Sequence, residues 1–251
     1  MKPNPCIEKM RHVLDLSLEE EAVLTSFVAP RVPIAKDTDI VTQGARSDRA
    51  FVICEGWVLR HRQLADGRRQ ILDFLLPGDW AGLTALMFDE ADHTVAAVTD
   101  LVVVPVPFAD LAGLARRQPR LAFAIFWTAA QEEAVIAEHL VDVGRRSAYE
   151  RVGHLYLELL SRLSLVGAAR DGAFAFPLNQ ATLADALGLS QVHVNRTIQR
   201  LRQDGLVLVD GRRVVIPDRA ALERAVDFET AYLHMGGLPV WLARRLEAAP
   251  V

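Results

Sequence analysis

Gln191, Val192 and Arg196 open a segment, SQVHVNRTIQRLRQDG, whose residue types suit the reading of DNA bases. A glutamine amide pairs bidentately with adenine, a guanidinium with guanine O6 and N7, and an apolar residue meets a thymine methyl. Ser190, His193, Arg200 and Arg212 suit phosphate oxygens, contacts that set register and carry no sequence information. Asn195 lies between the two sets and is unassigned.

These residues must be held by a fixed frame. Asn179 can cap a first helix with Leu183, Ala184 and Leu187 on its apolar face, ended by Gly188. Ser190 can cap a second helix, with Val194, Ile198 and Leu201 on one face at helical spacing. Gly205 stops it, and two β-rich runs around Asp210-Gly211 predict a hairpin. Helix, turn, helix and basic hairpin make a winged helix-turn-helix, which places its second helix in the major groove.

The net charge of −4 is unevenly shared. Residues 145–226 hold 12 basic and 8 acidic residues, whereas the remainder holds 16 and 24. The positive balance travels with the helix-turn-helix, as attraction to phosphate requires. Two cysteines, Cys6 and Cys54, and a start, MKPNPCIEKMRH, without an apolar signal core predict a cytoplasmic protein. No apolar run reaches the length of a membrane span, so no membrane partner is expected.

The preceding residues carry another pattern. FVICEGWVLRHRQL, RQILDFLL and HTVAAVTDLVVVPV are strand-like, punctuated by Gly44, Gly56, Gly67, Gly78 and Gly82. They predict a β-roll of jelly-roll type within residues 1–107, which also include an N-terminal helix. A central helix is expected over 108–143. Its seam of Ala122, Phe126, Ala129, Ile136, Leu140 and Val143, interrupted by Glu133, suits pairing with a second copy. Phe126, Ala129, Ile136, Leu140 and Val143 are thus the expected dimer interface, while Phe123, Ile125 and Trp127 cover the roll. Gly144-Arg145-Arg146-Ser147 marks a hinge before a support helix striped by Val152, Leu155, Leu159, Leu160 and Leu163, with His154 and Tyr156 structural. The winged helix-turn-helix spans 144–228, and an extension spans 229–251, where WLARRLEAA could form a helix packed on the DNA-binding domain. The fold class is α+β.

From about residue 10 to 228 the chain resembles the Crp/Fnr family of bacterial transcription regulators. DGRRQILDFLLPGDWAG is similar to that family's hairpin leading into its ligand-binding turn, and GLSQVHVNRTIQRLRQDGLV to its recognition helix and wing. The resemblance implies a homodimer on a partly palindromic operator of double-stranded DNA, RNA polymerase as a partner, and a sensor domain that switches transcription.

The departures are specific. Cyclic-nucleotide-binding members carry a glutamate for the ribose and an arginine-serine or arginine-threonine pair for the phosphate. The matching positions here are Gly82-Leu83 and His93-Thr94. Leu83 cannot accept from a ribose hydroxyl, whose unpaired burial costs roughly 1–3 kcal/mol. His93 is a weaker, pH-dependent donor than a guanidinium. Cyclic AMP is therefore disfavoured, and the effector pocket of Gly82, Leu83, His93 and Thr94 is expected to take an unidentified small molecule. An iron–sulfur cluster needs four thiolates, against two here. Cys54 reads as a small buried strand residue, and His93 as a surface loop histidine. No cofactor and no metal are expected, since the seven histidines lack paired ligand spacing. Val192 stands where many family members carry a cytosine-reading glutamate, which predicts a shifted half-site. Two rivals remain: a metal-dependent jelly-roll enzyme, for which His61 stands alone in its strand, and a protein-binding adaptor.

Overall fold

The computed structural model describes residues 4–27 and 29–248. Two helices, α1 (Pro5–Val13) and α2 (Leu18–Phe27), precede eight strands. These are β1 (Val32–Ile34), β2 (Asp39–Val41), β3 (Arg49–Glu55), β4 (Val58–Gln63), β5 (Arg69–Leu75), β6 (Trp80–Ala81), β7 (Thr94–Ala97) and β8 (Leu101–Pro107). They form two antiparallel sheets, ordered β1-β8-β3-β6 and β2-β7-β4-β5, the non-sequential neighbours of a jelly roll. Strand β3 shows why its sequence is apolar on both faces. Ala50, Val52 and Cys54 pack on α1 and the later helices, while Ile53 points into the roll interior with Leu101 and Val103.

The stretch expected as one helix over 108–143 is two, α3 (Phe108–Arg117) and α4 (Pro119–Arg145). Gln118 leaves helical geometry ahead of Pro119, whose ring disfavours the helical region for the residue before it. At its other end α4 runs on through Gly144, so the expected hinge contracts to Arg146-Ser147. Ser147 and Glu150 form a capping box that starts α5 (Ala148–Leu165) at once.

Beyond α5 lie β9 (Ala169–Arg170), β10 (Ala173–Ala175), α6 (Gln180–Leu187), α7 (Gln191–Gln203), β11 (Leu208–Asp210), β12 (Arg213–Val215), α8 (Arg219–Val226) and α9 (Val240–Ala248). The wing is a four-stranded sheet, β11-β12-β10-β9, twice the size expected. Its second hairpin turns on Asp171-Gly172, another Asp-Gly pair. The β11–β12 turn is Gly211-Arg212, one residue beyond the expected position, because Asp210 pairs with Arg213. Helix α9 confirms the helical reading of the tail but not its docking. Leu242 and Leu246 pack with α1 and α4 beside the roll, and Leu238 N–H donates to Val13 O at 2.9 Å. The final residues of the expected 229–251 extension lie outside the described set. No described helix is long and apolar enough to cross a membrane.

One continuous core runs from Trp57, Phe74 and Leu76 in the roll through Leu155 and Leu159 to Leu183, Ile198 and Val214 in the wing. Helix α5 is buried on every side from Val152 to Ser161, beyond the single stripe visible in its sequence. It lies between the roll and the helix-turn-helix.

Candidate nucleic-acid interface and sensor pocket

The helix-turn-helix forms as its cap residues dictate. Asn179 Oδ1 accepts from Thr182 N at 2.8 Å, and Ser190 Oγ from His193 N at 3.2 Å. Gly188 ends α6 in the left-handed region, φ +63°, and a Cβ there would lie 3.3 Å from Val143 Cγ1. Val194, Thr197, Ile198 and Leu201 are buried under α7, which turns its opposite face outward.

On that outward face Gln191, Val192, Asn195, Arg196, Gln199 and Arg200 are exposed and His193 is half-buried. Val192 is 79% exposed, an apolar side chain held in solvent at the first turn of the helix. The hydroxyl of Ser190 accepts from the helix backbone and keeps its own proton to donate. Arg200 lies over the Tyr149 ring at 4.9 Å, and Tyr149 donates to Asp204 at 2.7 Å, so this arginine is braced rather than free. Arg212 sits at the exposed wing tip, and exposed Arg213 beside it is a further cation that the sequence reading left out.

The roll end differs more from expectation. Gly82 and Leu83 line a cavity of about 160 Å³ between the roll and α4, with Arg60, Trp80, Glu132 and Ile136 among its other walls. His93 and Thr94 are not on that wall. His93 is buried rather than a surface histidine, its Nδ1 2.5 Å from Asp92 Oδ1. Burial, then the charge of Arg60, lowers its pKa, leaving a neutral imidazole at neutral pH. Thr94 Oγ1 accepts from Gln43 N at 3.1 Å.

Of the expected seam on α4, Phe126 and Leu140 are exposed, whereas Ala129 and Ile136 are half-buried beside the cavity under the roll, and half-buried Val143 packs toward Gly188 and lines a small crevice with Leu155 and Leu187. The exposed face is Phe126, Ala130, Glu133, Ala137 and Leu140. Both frames share Phe126, Glu133 and Leu140, and only packing on the roll distinguishes them. Ile125 is buried and Phe123 and Trp127 partly so, in the cluster joining α4 to α1 and β3.

A cluster of buried charge joins these parts, and the sequence reading missed it. Arg162 of α5 reaches Glu158 at 2.9 Å, Asp73 at 3.1 Å and Asp79 at 2.9 Å, and donates to Phe74 O at 2.8 Å. Lys9 of α1 meets Asp79, and Arg60 of β4 lies 3.4 Å from Asp73 and 3.3 Å from Glu132. His139 of α4 has Nδ1 at 3.0 Å from Leu72 O and Nε2 at 2.9 Å from Glu158, so both ring nitrogens face acceptors. Burial opposes that imidazolium, but the charge of Glu158 outweighs it and holds the histidine at about 10. Burial likewise opposes ionisation of Glu158, yet His139 and Arg162 pull it to about 2. Asp73, His139 and Glu158 have metal-ligand spacing, but Arg162 and the imidazolium protons already occupy their oxygens. Glu132 is the exception. Burial pushes it up to about 7 despite Arg60. The sequence signal for the cluster was Glu158 and Arg162, one turn apart among the leucines of α5.

Residues 31–118 match the cyclic nucleotide-binding domain and 150–225 the Crp-like helix-turn-helix domain. The nitrogen fixation regulation protein FixK of Azorhizobium caulinodans is 31% identical over 211 residues, covering 84% of each chain. The chain belongs to the Crp/Fnr family of transcriptional regulators. The transcriptional activator protein FnrL of Cereibacter sphaeroides is 28% identical over 207 residues, 80% of each chain. The structure of FixK2 from Bradyrhizobium japonicum superposes with a TM-score of 0.71 at 29% identity, covering 78% of this chain and 96% of that one. Within this Crp/Fnr frame the Leu83 side chain itself offers no acceptor to a ribose, while Thr84, Glu132 and Glu133 share its wall. Neutral His93 offers no fixed cation to a phosphate.

Proposed function

We propose that this Crp/Fnr chain works as a homodimer in the bacterial cytoplasm, binding a partly palindromic operator through α7 and recruiting RNA polymerase. The observation that carries this reading is the outward face of the first two turns of α7. Gln191, Val192 and Arg196 stand exposed above a buried opposite face, the geometry of a helix that enters the major groove. Arg212 and Ser190 serve the phosphates. Arg200, braced on Tyr149, is pre-ordered for the same task. The copies meet along Phe126 and Leu140, 67% and 74% exposed and two heptads apart on α4. The signal enters at the cavity beside Leu83, where Leu83 and His93 disfavour cyclic AMP and two cysteines disfavour an iron–sulfur cluster.

Selection from randomised duplexes tests the base assignments. The expected result is a two-fold site that accepts thymine opposite Val192, and recovery of sites with no two-fold symmetry counts against the dimeric reader. Arg196→Ala should cost roughly 1–3 kcal/mol on the selected site and relax base choice, whereas Arg212→Ala should weaken all duplexes alike and flatten the salt slope. Titrations of specific and random duplexes at several salt concentrations check both.

A further inference from the structure

Beyond α8, residues 227–238 leave the helix-turn-helix part and cross to α1 as a strap, with α9 packed at the far end. The near end is fixed to α5. Phe228 lies edge-on to His154 at 5.2 Å, and Tyr232 donates to Glu158 Oε2 at 3.1 Å. Midway, Gln131 of α4 donates to Leu233 O, and the Leu233 side chain is fully buried. At the far end Leu238 N–H donates to Val13 O at 2.9 Å. Gly237 beside it has φ +70°, and a Cβ there would collide with the backbone oxygens of His12 and Val13. Phe228 and Leu233 belong to the core shared with the wing, whereas Leu238 and Leu242 belong to the core of α1, α4 and β3. Strap and α1 both lie outside the two domains that the family match covers, so those domains do not supply this tie.

The other ties from the roll to the helix-turn-helix part gather on β5, the turn after it and the start of neighbouring β4. Arg69 and Gln70 hold α6, while Asp73, Phe74 O and Asp79 hold Arg162. Trp57, just before β4, meets the Phe176 ring edge-on at 6.2 Å. Parts joined along one seam and through one covalent hinge rock about that seam. An anchor on α1, which packs on the other sheet through β3, opposes the rocking. Among the described residues none of the strap's hydrogen bonds goes to α6 or α7, so it leaves the reading face clear and acts on orientation. In a dimer that orientation sets the distance and phase between two copies of α7, which must match half-sites roughly 34–36 Å apart.

We propose that the strap is a positioning segment that sets which half-site spacing the operator must have. It clamps each helix-turn-helix part to its own roll in one orientation, so the dimer meets half-sites of one separation and phase. The proposal rests on the reading of the chain as a dimeric operator binder and names the segment that fixes its geometry.

Titration of the full chain against its selected duplex, and against that duplex with one base pair added or removed between the half-sites, tests this. One base pair rotates a half-site by about a tenth of a helical turn. The native chain should bind either altered duplex about tenfold or more weakly. Gly237→Val, whose side chain has no room against α1, should shrink that loss to about threefold or less, with random-duplex affinity and self-association unchanged. Hydrogen exchange at the Leu238 amide, protected by Val13 O in the native chain, reports release of the strap. Where Gly237→Val fails to fold, Gln131→Ala removes the midway tie alone and should give the same change in smaller degree. Val240→Ser, at a residue 69% exposed, should match the native chain on every duplex. A released strap with the native spacing preference intact would overturn the proposal. So would an equal loss of affinity on every duplex, which marks plain destabilisation. A native chain that selects no two-fold site would overturn the operator reading itself, and this proposal with it.

Discussion

Glu132 is a carboxyl group that the fold prefers uncharged. Its folded pKa, about 7, lies above the usual value near 4.5, and burial is the cause. A raised acid contributes stability that is fully present below about pH 4.5 and lost as pH rises through 7. That loss is about 3 kcal/mol. Glu132→Gln should therefore melt higher than the native chain at pH 8 and almost together with it at pH 5, as differential scanning calorimetry will show. Coincident curves at pH 8 would mean that Arg60 compensates the ionised form. Val192 is the opposite kind of residue, apolar yet 79% exposed in a helix whose other apolar side chains are buried. Its position was legible from the sequence because a helix N-terminus is fixed by its cap. The setting of Glu132 was not legible, because Arg60, Asp73 and Asp79 reach it from distant segments.

Among the elements, α4 performs three tasks with three faces. Ile125 and Leu121 lock it to α1 and β3, Ala129 and Ile136 wall the cavity under the roll, and Phe126 and Leu140 remain in solvent. A heptad pattern read from sequence cannot separate the second face from the third, since each is apolar and offset by one residue. Replacing Phe126 and Leu140 together by Glu should lower self-association by at least about tenfold while leaving the helix content unchanged. Sedimentation equilibrium and circular dichroism measure the two. The companion change Ile136→Glu should leave association nearly intact and act on the sensor cavity, which separates the two frames. Helix α5 makes a similar point. Its capping box and leucines gave its limits, but its burial on every side reflects its place between two layers.

For the whole molecule, the decisive feature is that the roll and the helix-turn-helix part share one core and one ion cluster. Arg69 reaches Asp185 of α6 at 2.6 Å, and Gln70 donates to Ala186 O at 3.2 Å, so β5 touches the helix-turn-helix directly. Arg162 stands at the centre, bonded to groups of the roll and of its own helix. Removing it leaves three buried carboxylates short of a partner, and such losses cost about 3–5 kcal/mol. Arg162→Ala should show that loss in urea unfolding and split the single transition into two as the parts separate. His139, raised from 6.5 to about 10, contributes stability that is full below pH 6.5 and is lost as pH rises from there through 10. Glu158, lowered from 4.5 to about 2, contributes stability that is full above pH 4.5 and is lost as pH falls from there through 2. Glu132 is left as the member of the cluster whose own charge changes near neutrality.

The sequence alone determined what depends on local geometry: the β-roll strands, the helix-turn-helix with its caps at Asn179 and Ser190, and the outward residues of α7. Each follows from a periodicity or a cap confined to a few neighbouring residues. It also determined the absence of a ribose-binding glutamate at Leu83, a matter of residue identity. Tertiary structure decided which face of α4 is free, where the tail docks, that His93 is buried, and that eight ionisable groups from the roll, α1, α4 and α5 converge. Those outcomes depend on which surfaces exclude water from one another. That is settled by contacts between residues as distant as Lys9 and Asp79, or Asp73 and Arg162, and no local pattern encodes them.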